Sequence, residues 1–206
     1  MRGNHNEEET QQSLPHKPTL TVPFDMPSFA LNTLSMKAFN EVYYHAQRAE
    51  RVHKLEPYEP FFYPLDVLHH WNRMYGKRGF LQYQCVVPLD NGYEVMHDLL
   101  NCISRSGEGS FLTVLKKFGD VPSPGLLSFP RPGLTLALDF PNNGNKTLLL
   151  LNTLDEIVRQ SGGAVYPAKD ARMTAESFQQ YFPQWETFAP LIDPKFSSSF
   201  WRRVTP

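Results

Sequence analysis

Residues 80–87 alternate between two kinds of side chain, and this alternation limits the possible folds more than any other feature of the chain. A β-strand points successive side chains to opposite faces. One face of the predicted strand carries Leu81, Tyr83, Cys85 and Val87. The opposite face carries Phe80, Gln82, Gln84 and Val86. A strand with one apolar face and one face that mixes in amides is typical of an antiparallel sheet that packs against helices on one side.

A regular succession of strands and helices follows this first strand. The further predicted strands are residues 111–118, 134–140 and 164–166. Apolar residues recur at helical spacing in two segments, residues 93–106 and 147–161. The order β-α-β-β-α-β predicts an α+β fold of the ferredoxin-like type, an antiparallel sheet with both helices on one face.

The flanking segments have weaker patterns. A helix is predicted at residues 33–46, after an extended arm. A short helix is predicted after Asp66, an N-cap residue. Near the C-terminus, Thr174 can cap a helix over residues 175–182, and further short helices follow it. These C-terminal helices form a return segment outside the ferredoxin-like unit.

The polar residues of the predicted sheet are expected on the face away from the helices. They are Gln82, Gln84, Lys116, Thr135 and Asp139. Large apolar side chains share that face, namely Phe80, Val114 and Phe118. A solvated sheet face is the alternative, because antiparallel sheets often have one. The apolar side chains among the amides favour the wall of a binding cleft.

A lysine, Lys169, follows the last predicted strand within residues 162–172. It lies on a loop just past a buried element, where a rigid scaffold can place a reactive group. The alternative is a surface turn in which Lys169, Asp170 and Arg172 form a solvated cluster. The stretch alone favours the surface turn, and the polar face of the sheet favours a functional lysine.

Charge, cysteine content and hydropathy exclude several kinds of protein. The net charge is −1, so there is no cationic field for nucleic acid. The 2 cysteines are too few for a Cys-rich metal site, and His69 and His70 have no further ligand at metal-binding spacing, so we predict that no metal is bound. We expect both cysteines to be free thiols, as in a reducing compartment. No apolar run has transmembrane length, and no secretory signal is visible. We expect a cytoplasmic protein, with association to a membrane surface left open.

Five motifs in one collinear order resemble those of the FAD-linked oxidases of the vanillyl-alcohol-oxidase type, in particular members that act on a lipid-linked sugar. The motifs are residues 71–84, 118–119, 127–133, 139–141 and 162–172. In that family an N-terminal domain binds FAD, and a second domain, an antiparallel sheet with helices, covers the flavin and forms the substrate pocket. The resemblance implies that this chain corresponds to the second domain.

The resemblance also implies a division of the chain. Residues 1–18 are polar and are expected to be disordered or tag-like. Residues 19–166 correspond to the substrate-binding domain, and residues 167–206 to a segment that returns toward a flavin domain. We expect the FAD-binding domain to be absent from this chain. Most contacts to FAD would then come from that missing part. The chain would be a truncated gene product, an isolated domain, or one piece of a split enzyme whose partner is a separate flavin-domain polypeptide.

Individual residues match the family's motifs. Lys169 matches the lysine near the flavin and the reacting carbon, Tyr166 matches a flavin contact, and Lys116 matches the pocket lysine. The resemblance makes both lysines candidate catalytic residues and makes Tyr166 and Lys169 candidate FAD ligands. The candidate substrate-binding residues are Gln82, Gln84, Val114, Lys116, Phe118, Thr135 and Ala137. The members of the family best known as drug targets have asparagine at the position of Thr135 and cysteine at that of Ala137, so the pocket floor is expected to be smaller here and to lack a thiol.

The reaction implied by the resemblance is hydride transfer from a secondary alcohol of a sugar to FAD, which gives a keto sugar. The lysines would supply positive charge where the alkoxide develops. The glutamines would orient hydroxyls by hydrogen bonds. Two alternatives stay open, a non-catalytic ferredoxin-like module without flavin and another FAD-linked sugar or polyol oxidase of the same fold.

Overall fold

The computed structural model describes residues 20–27, 33–46, 49, 51–53, 55, 63, 68–110, 112–169 and 172–205. The prediction for residues 1–18 lies outside the described residues. The strands are β1 (Leu20–Thr21), β2 (Leu68–His69), β3 (Phe80–Val87), β4 (Thr113–Phe118), β5 (Gly133–Pro141) and β6 (Ala164–Val165). The α-helices are α1 (Thr33–Ala46), α2 (Gly92–Ser106), α3 (Asn145–Gln160), α4 (Ala175–Tyr181), α5 (Trp185–Phe188) and α6 (Ser199–Val204).

Four strands form one sheet in the order β4-β5-β3-β6, and every neighbouring pair is antiparallel. Helix α2 connects β3 to β4, and helix α3 connects β5 to β6. Strand β5 pairs with β4 on one side and with β3 on the other, as in the predicted ferredoxin-like arrangement. The α+β fold expected from the sequence is therefore confirmed.

The core lies between the sheet and the helices α2 and α3. Cys85 of β3 pairs in register with Leu136 of β5, and both side chains are buried. Leu99 of α2 and Leu154 of α3 are fully buried in the same cluster. Because the two helices also contact each other, they cover a single face of the sheet. The opposite face is left for the residues with polar side chains.

The C-terminal segment packs on the same hydrophobic cluster. Phe178 and Tyr181 of α4 and Val204 of α6 are buried in it. Thr174 caps α4, since its side-chain oxygen accepts a hydrogen bond from the Ser177 amide at 3.2 Å. The predicted cap and the short C-terminal helices are confirmed by the structure.

The short helix predicted after Asp66 is wrong where the structure describes it. Leu68 and His69 form β2, which pairs in parallel with β1, and a 3-10 segment follows at Trp71–Arg78. The Arg73 guanidinium donates hydrogen bonds to the carbonyl oxygens of Val22 and Pro23, at 3.1 and 3.0 Å. Contacts with the distant arm thus override the local helical pattern.

Candidate functional site

The strand register places every predicted substrate-binding residue on the sheet face away from α2 and α3. Across the sheet, Val114 lies opposite Ala137, which lies opposite Gln84. One step along, Lys116 lies opposite Thr135. Gln82 and Phe118 follow at even spacing on the same face. The predicted polar face therefore exists as one continuous surface.

Aromatic side chains stand at both ends of this surface. At the end where β5 begins, Phe129 stacks on Tyr166 with ring centroids 4.6 Å apart, and Phe118 meets Phe129 edge-on at 6.0 Å. At the other end, Phe80 stacks on Tyr75 at 4.7 Å. The polar residues lie between these aromatic ends, an arrangement typical of a pocket with apolar walls and a few placed polar groups.

Each pocket glutamine is oriented by its neighbour across the strands. The Gln84 side-chain amide donates to Thr135 Oγ1 at 3.1 Å. The Gln82 side-chain amide donates to Asp139 Oδ1 at 3.0 Å. Thr135 is 1% exposed, and the hydrogen bond from Gln84 connects its buried hydroxyl to the polar face. These hydrogen bonds hold both amides in fixed orientations on a rigid sheet.

The shortness of β6 creates an open edge beside Lys169. The strand has 2 residues, and its pairing with β3 ends where the Tyr166 amide donates to the Gln84 carbonyl oxygen at 2.8 Å. The chain then turns away in a 3-10 segment, Pro167–Lys169. The cleft left along the β3 edge lies where the two faces of the sheet meet, because residues of α3 line it together with Gln82 and Gln84 of the polar face. Its lining residues are Leu81, Gln82, Tyr83, Gln84, Leu148, Leu151, Val165, Lys169 and Arg172.

Arg172 forms hydrogen bonds with two residues of α3 and is not part of a solvated cluster. Its guanidinium donates to Asp155 at 2.6 Å and to Asn152 at 2.8 Å. The Arg172 side chain is 18% exposed. Asp170, the other charged neighbour predicted for Lys169, lies outside the described residues. Lys169 itself is half-buried in the cleft.

The two predicted catalytic lysines lie at opposite edges of the sheet. Lys116 is exposed on the edge strand β4, and Lys169 follows the other edge strand, β6. Neighbouring strands are about 4.8 Å apart, so the two edge strands are separated by about 14 Å. The lysines do not form a pair, and a ligand that meets both must extend across the polar face.

Asp139 is a buried carboxylate beside the candidate site that the sequence candidates omitted. It lies opposite Gln82 in the register and is 2% exposed. Burial raises the pKa of its carboxyl, while the Gln82 hydrogen bond and the nearby Lys169 charge oppose that rise. Among the described residues, its Oδ2 has no hydrogen-bond partner. The period-two alternation in β5 placed Asp139 on the polar face and could have identified it.

The remaining reactive groups do not suggest another site. Cys85 and Cys102 are both free, as predicted, and burial raises the pKa of Cys85 to about 12, so this thiol stays protonated at neutral pH. Within the described part of the chain, no three metal-binding side chains come together. No helix in that part is long and apolar enough to cross a bilayer.

Comparison with known proteins links the chain to an oxidase. Over 190 residues, 90% of the chain, it is 37% identical to the decaprenylphosphoryl-beta-D-ribose oxidase of Mycolicibacterium smegmatis. Over 132 residues, 61% of the chain, it is 36% identical to an uncharacterized protein encoded in the mprA 5' region of Streptomyces coelicolor. No protein-family model matches the chain.

The first of these similarities confirms the resemblance predicted from the motifs, because it extends over nearly the whole chain. The aligned region covers 40% of the mycobacterial oxidase and 35% of the Streptomyces protein. The chain therefore spans less than half of the length of either curated relative.

Proposed function

We propose that this chain is the substrate-binding, C-terminal half of an FAD-dependent oxidoreductase that oxidises a secondary alcohol of a sugar, such as a lipid-linked ribose. The observation that carries the proposal is the polar sheet face, bordered by Lys169, in a chain 37% identical to an oxidase named for decaprenylphosphoryl-ribose. FAD, when bound, supplies the hydride acceptor for this chemistry.

The residues at the β6 edge fit part of a flavin. A flavin ring presents carbonyl oxygens at one end, and the Lys169 ammonium and the Tyr166 hydroxyl are hydrogen-bond donors. Tyr166 is half-buried, and its ring is held by the stack with Phe129. These residues would hold that end of the cofactor. Its other contacts would come from a flavin domain, either on a separate polypeptide or on a longer form of this chain.

The substrate would lie across the polar face. Lys169 would stabilise the negative charge that forms on the oxygen of the reacting alcohol when its proton passes to solvent, and loss of the hydride from the carbon to FAD would then give the keto sugar. Gln82 and Gln84 are held in place by their cross-strand hydrogen bonds. Their side-chain amides would donate hydrogen bonds to the sugar hydroxyls or accept hydrogen bonds from them. Lys116, at the opposite edge, is suited to the phosphate that links a sugar to its lipid. Val114, Phe118 and Ala137 would supply the apolar wall.

The resemblance of the motifs to the second domain of FAD-linked oxidases supports a division of the chain into two parts. We assign residues 19–166 to the substrate-binding domain and residues 167–206 to the segment that reaches back to the flavin domain. We place the protein in the cytoplasm, where its thiols stay reduced, and in contact with the membrane surface when it meets a lipid-linked substrate. Its partners are then a flavin domain and the sugar lipid.

A chimera tests the proposal. The aligned 190 residues of the mycobacterial oxidase are replaced by this chain, and decaprenylphosphoryl-ribose is added to the yellow protein without oxygen. We expect the flavin absorbance to bleach in a single turnover. The same chimera with Lys169→Ala should bind FAD but should not bleach.

Three outcomes would contradict the proposal. A folded chimera without flavin absorbance would exclude the cofactor assignment. A yellow chimera that this substrate does not reduce, but that another sugar or polyol reduces, would point to another oxidase of the same fold. Reduction that is equally fast with Lys169→Ala would exclude the function assigned to Lys169.

A further inference from the structure

Asp139 combines three properties that rarely occur together in a structural residue. Its side chain is buried, it is ionisable, and one of its carboxylate oxygens has no partner among the described residues. The other oxygen accepts the Gln82 amide at 3.0 Å. A buried carboxylate oxygen that receives no hydrogen bond destabilises the folded state. The fold therefore tolerates a cost that a ligand could remove.

The position of Asp139 connects it to the cleft. Gln82, which it holds, lines the cleft together with Lys169. The Lys169 charge is close enough to favour the ionised form of Asp139. Asp139 itself does not line the cleft, and its connection to the cleft is the hydrogen bond from Gln82.

We propose that Asp139 is a substrate-positioning residue whose Oδ2 accepts a hydrogen bond from a sugar hydroxyl once the sugar has displaced the side chains that cover this oxygen. This inference rests on the proposed function, because it requires a polyhydroxy ligand on the polar face. A carboxylate beside an oriented amide matches two adjacent hydroxyls of a furanose, since the carboxylate accepts and the amide can donate or accept. A charge-assisted hydrogen bond of this kind is stronger than one between neutral groups.

The competing explanation is that Asp139 only fixes the fold. In that case its second oxygen would be satisfied by a small movement of the Lys169 side chain, and a sugar would not affect the carboxyl. The two explanations differ in what the Asp139 carboxyl carbon senses, so they can be separated by a measurement at that atom.

The experiment uses the purified 206-residue chain and methyl β-D-ribofuranoside as the probe. Carbon-13 NMR of aspartate carboxyls and nitrogen-15 NMR of glutamine side-chain amides are followed as the sugar is added. We expect saturable shifts at Asp139 and Gln82. We expect Asp139→Asn to weaken the binding about tenfold. Asp90→Asn, at an exposed aspartate in the loop after β3, is the matched control and should bind as the wild type does.

Two results would overturn the inference, and they differ in what they say about the proposed function. If Gln82 and Gln84 shift saturably while the Asp139 carboxyl does not, and Asp139→Asn binds equally well, the sugar site stands and Asp139 is not part of it. If no cleft residue shifts up to the solubility limit of the sugar, both the inference and the proposed sugar site fail. Should Asp139→Asn not fold, the carboxyl resonance of the wild type decides alone.

Discussion

Arg172 donates a charge-assisted hydrogen bond of 2.6 Å to Asp155 of α3, and this pair ties the segment after Lys169 to the helical layer. The two side chains are only 18% and 23% exposed, so the pair is largely removed from water. Removal of the arginine leaves a partly buried carboxylate beside the buried ring of Tyr83.

We expect Arg172→Met to lower the free energy of unfolding by about 2 kcal/mol, between the costs of breaking an exposed pair and a fully buried one. Urea denaturation measures the change. Arg159→Met is the control, because it breaks a more exposed pair with Glu156 on α3 and should change little. Equal losses in the two variants would show that the burial of the Arg172 pair has no consequence.

Replacement of Asp139 should stabilise the fold at neutral pH. Burial raises the folded-state pKa of Asp139 above its unfolded value. Between those two values the folded state binds more protons than the unfolded state, so stability falls as the pH rises through them. Asp139→Asn removes the ionised form and should add on the order of 1 kcal/mol at pH 7. Denaturation at pH 7 and near pH 3 should show that the gain disappears in acid. A variant less stable than the wild type at pH 7 would argue for a structural carboxylate.

The contribution of Glu108 to stability should depend on pH in the opposite direction to that of Asp139. Burial alone would raise the pKa of this carboxyl, but hydrogen bonds from Lys146, Asn143 and Thr147 outweigh burial and lower it. Its contribution to stability is therefore present above the unfolded pKa and is lost as the pH falls through the folded one. We expect Glu108→Gln to cost about 1–3 kcal/mol at pH 7 and much less near pH 3. A cost that does not depend on pH would mean that packing, and not charge, explains it.

The main elements of the sheet unit could be predicted because local periodicity determines them. Strands β3 and β5 and helices α2 and α3 begin and end within 2 residues of their predicted limits. Their apolar residues recur every second residue in the strands and every third or fourth in the helices. The polar face followed from the same alternation, since one face of the sheet had to meet the helices.

What could not be predicted depends on contacts between distant parts of the chain. Strand β2 exists because the arm at Leu20 pairs with it, which no local pattern reveals. The burial of Asp139 depends on neighbours such as Gln82, which is 57 residues away in the sequence. The distance between Lys116 and Lys169 could be seen only from the strand order, which places β4 and β6 at opposite edges of the sheet. The sequence alone does not show which strands are neighbours.

Gly163 allows β6 to approach β3 closely. A Cβ atom at this position would lie 2.5 Å from the Val86 carbonyl oxygen and 3.0 Å from a methyl group of Val158. We expect Gly163→Ala to push β6 away from β3 and to cost about 1–3 kcal/mol. Gly119→Ala is the control, because its Cβ would meet no atom within 4 Å. Thermal denaturation compares the two, and equal melting temperatures would contradict the close approach.

Burial has the largest effect on the pKa of Asp139 and raises it, and the charge of Lys169 should partly oppose that rise, whereas the charge of Lys116 should have no effect. Lys169 favours the ionised carboxylate and so lowers the pKa of Asp139. Lys169→Met should therefore raise that pKa further, and Lys169→Arg should leave it nearly unchanged because the positive charge remains. Carbon-13 NMR of the Asp139 carboxyl across a pH titration measures both effects.

Lys116→Met removes the same charge at the other edge of the polar face and serves as the matched control. Lys116 lies opposite Thr135, four residues and about 13 Å along β5 from Asp139, which exceeds the Debye length of about 8 Å at physiological salt, and Lys116 is exposed to solvent that screens it. We expect no change in the pKa of Asp139 in this variant. An equal rise in both methionine variants would show that the two lysines act on one common centre, and would contradict the division of the polar face into a reacting end at Lys169 and a phosphate end at Lys116.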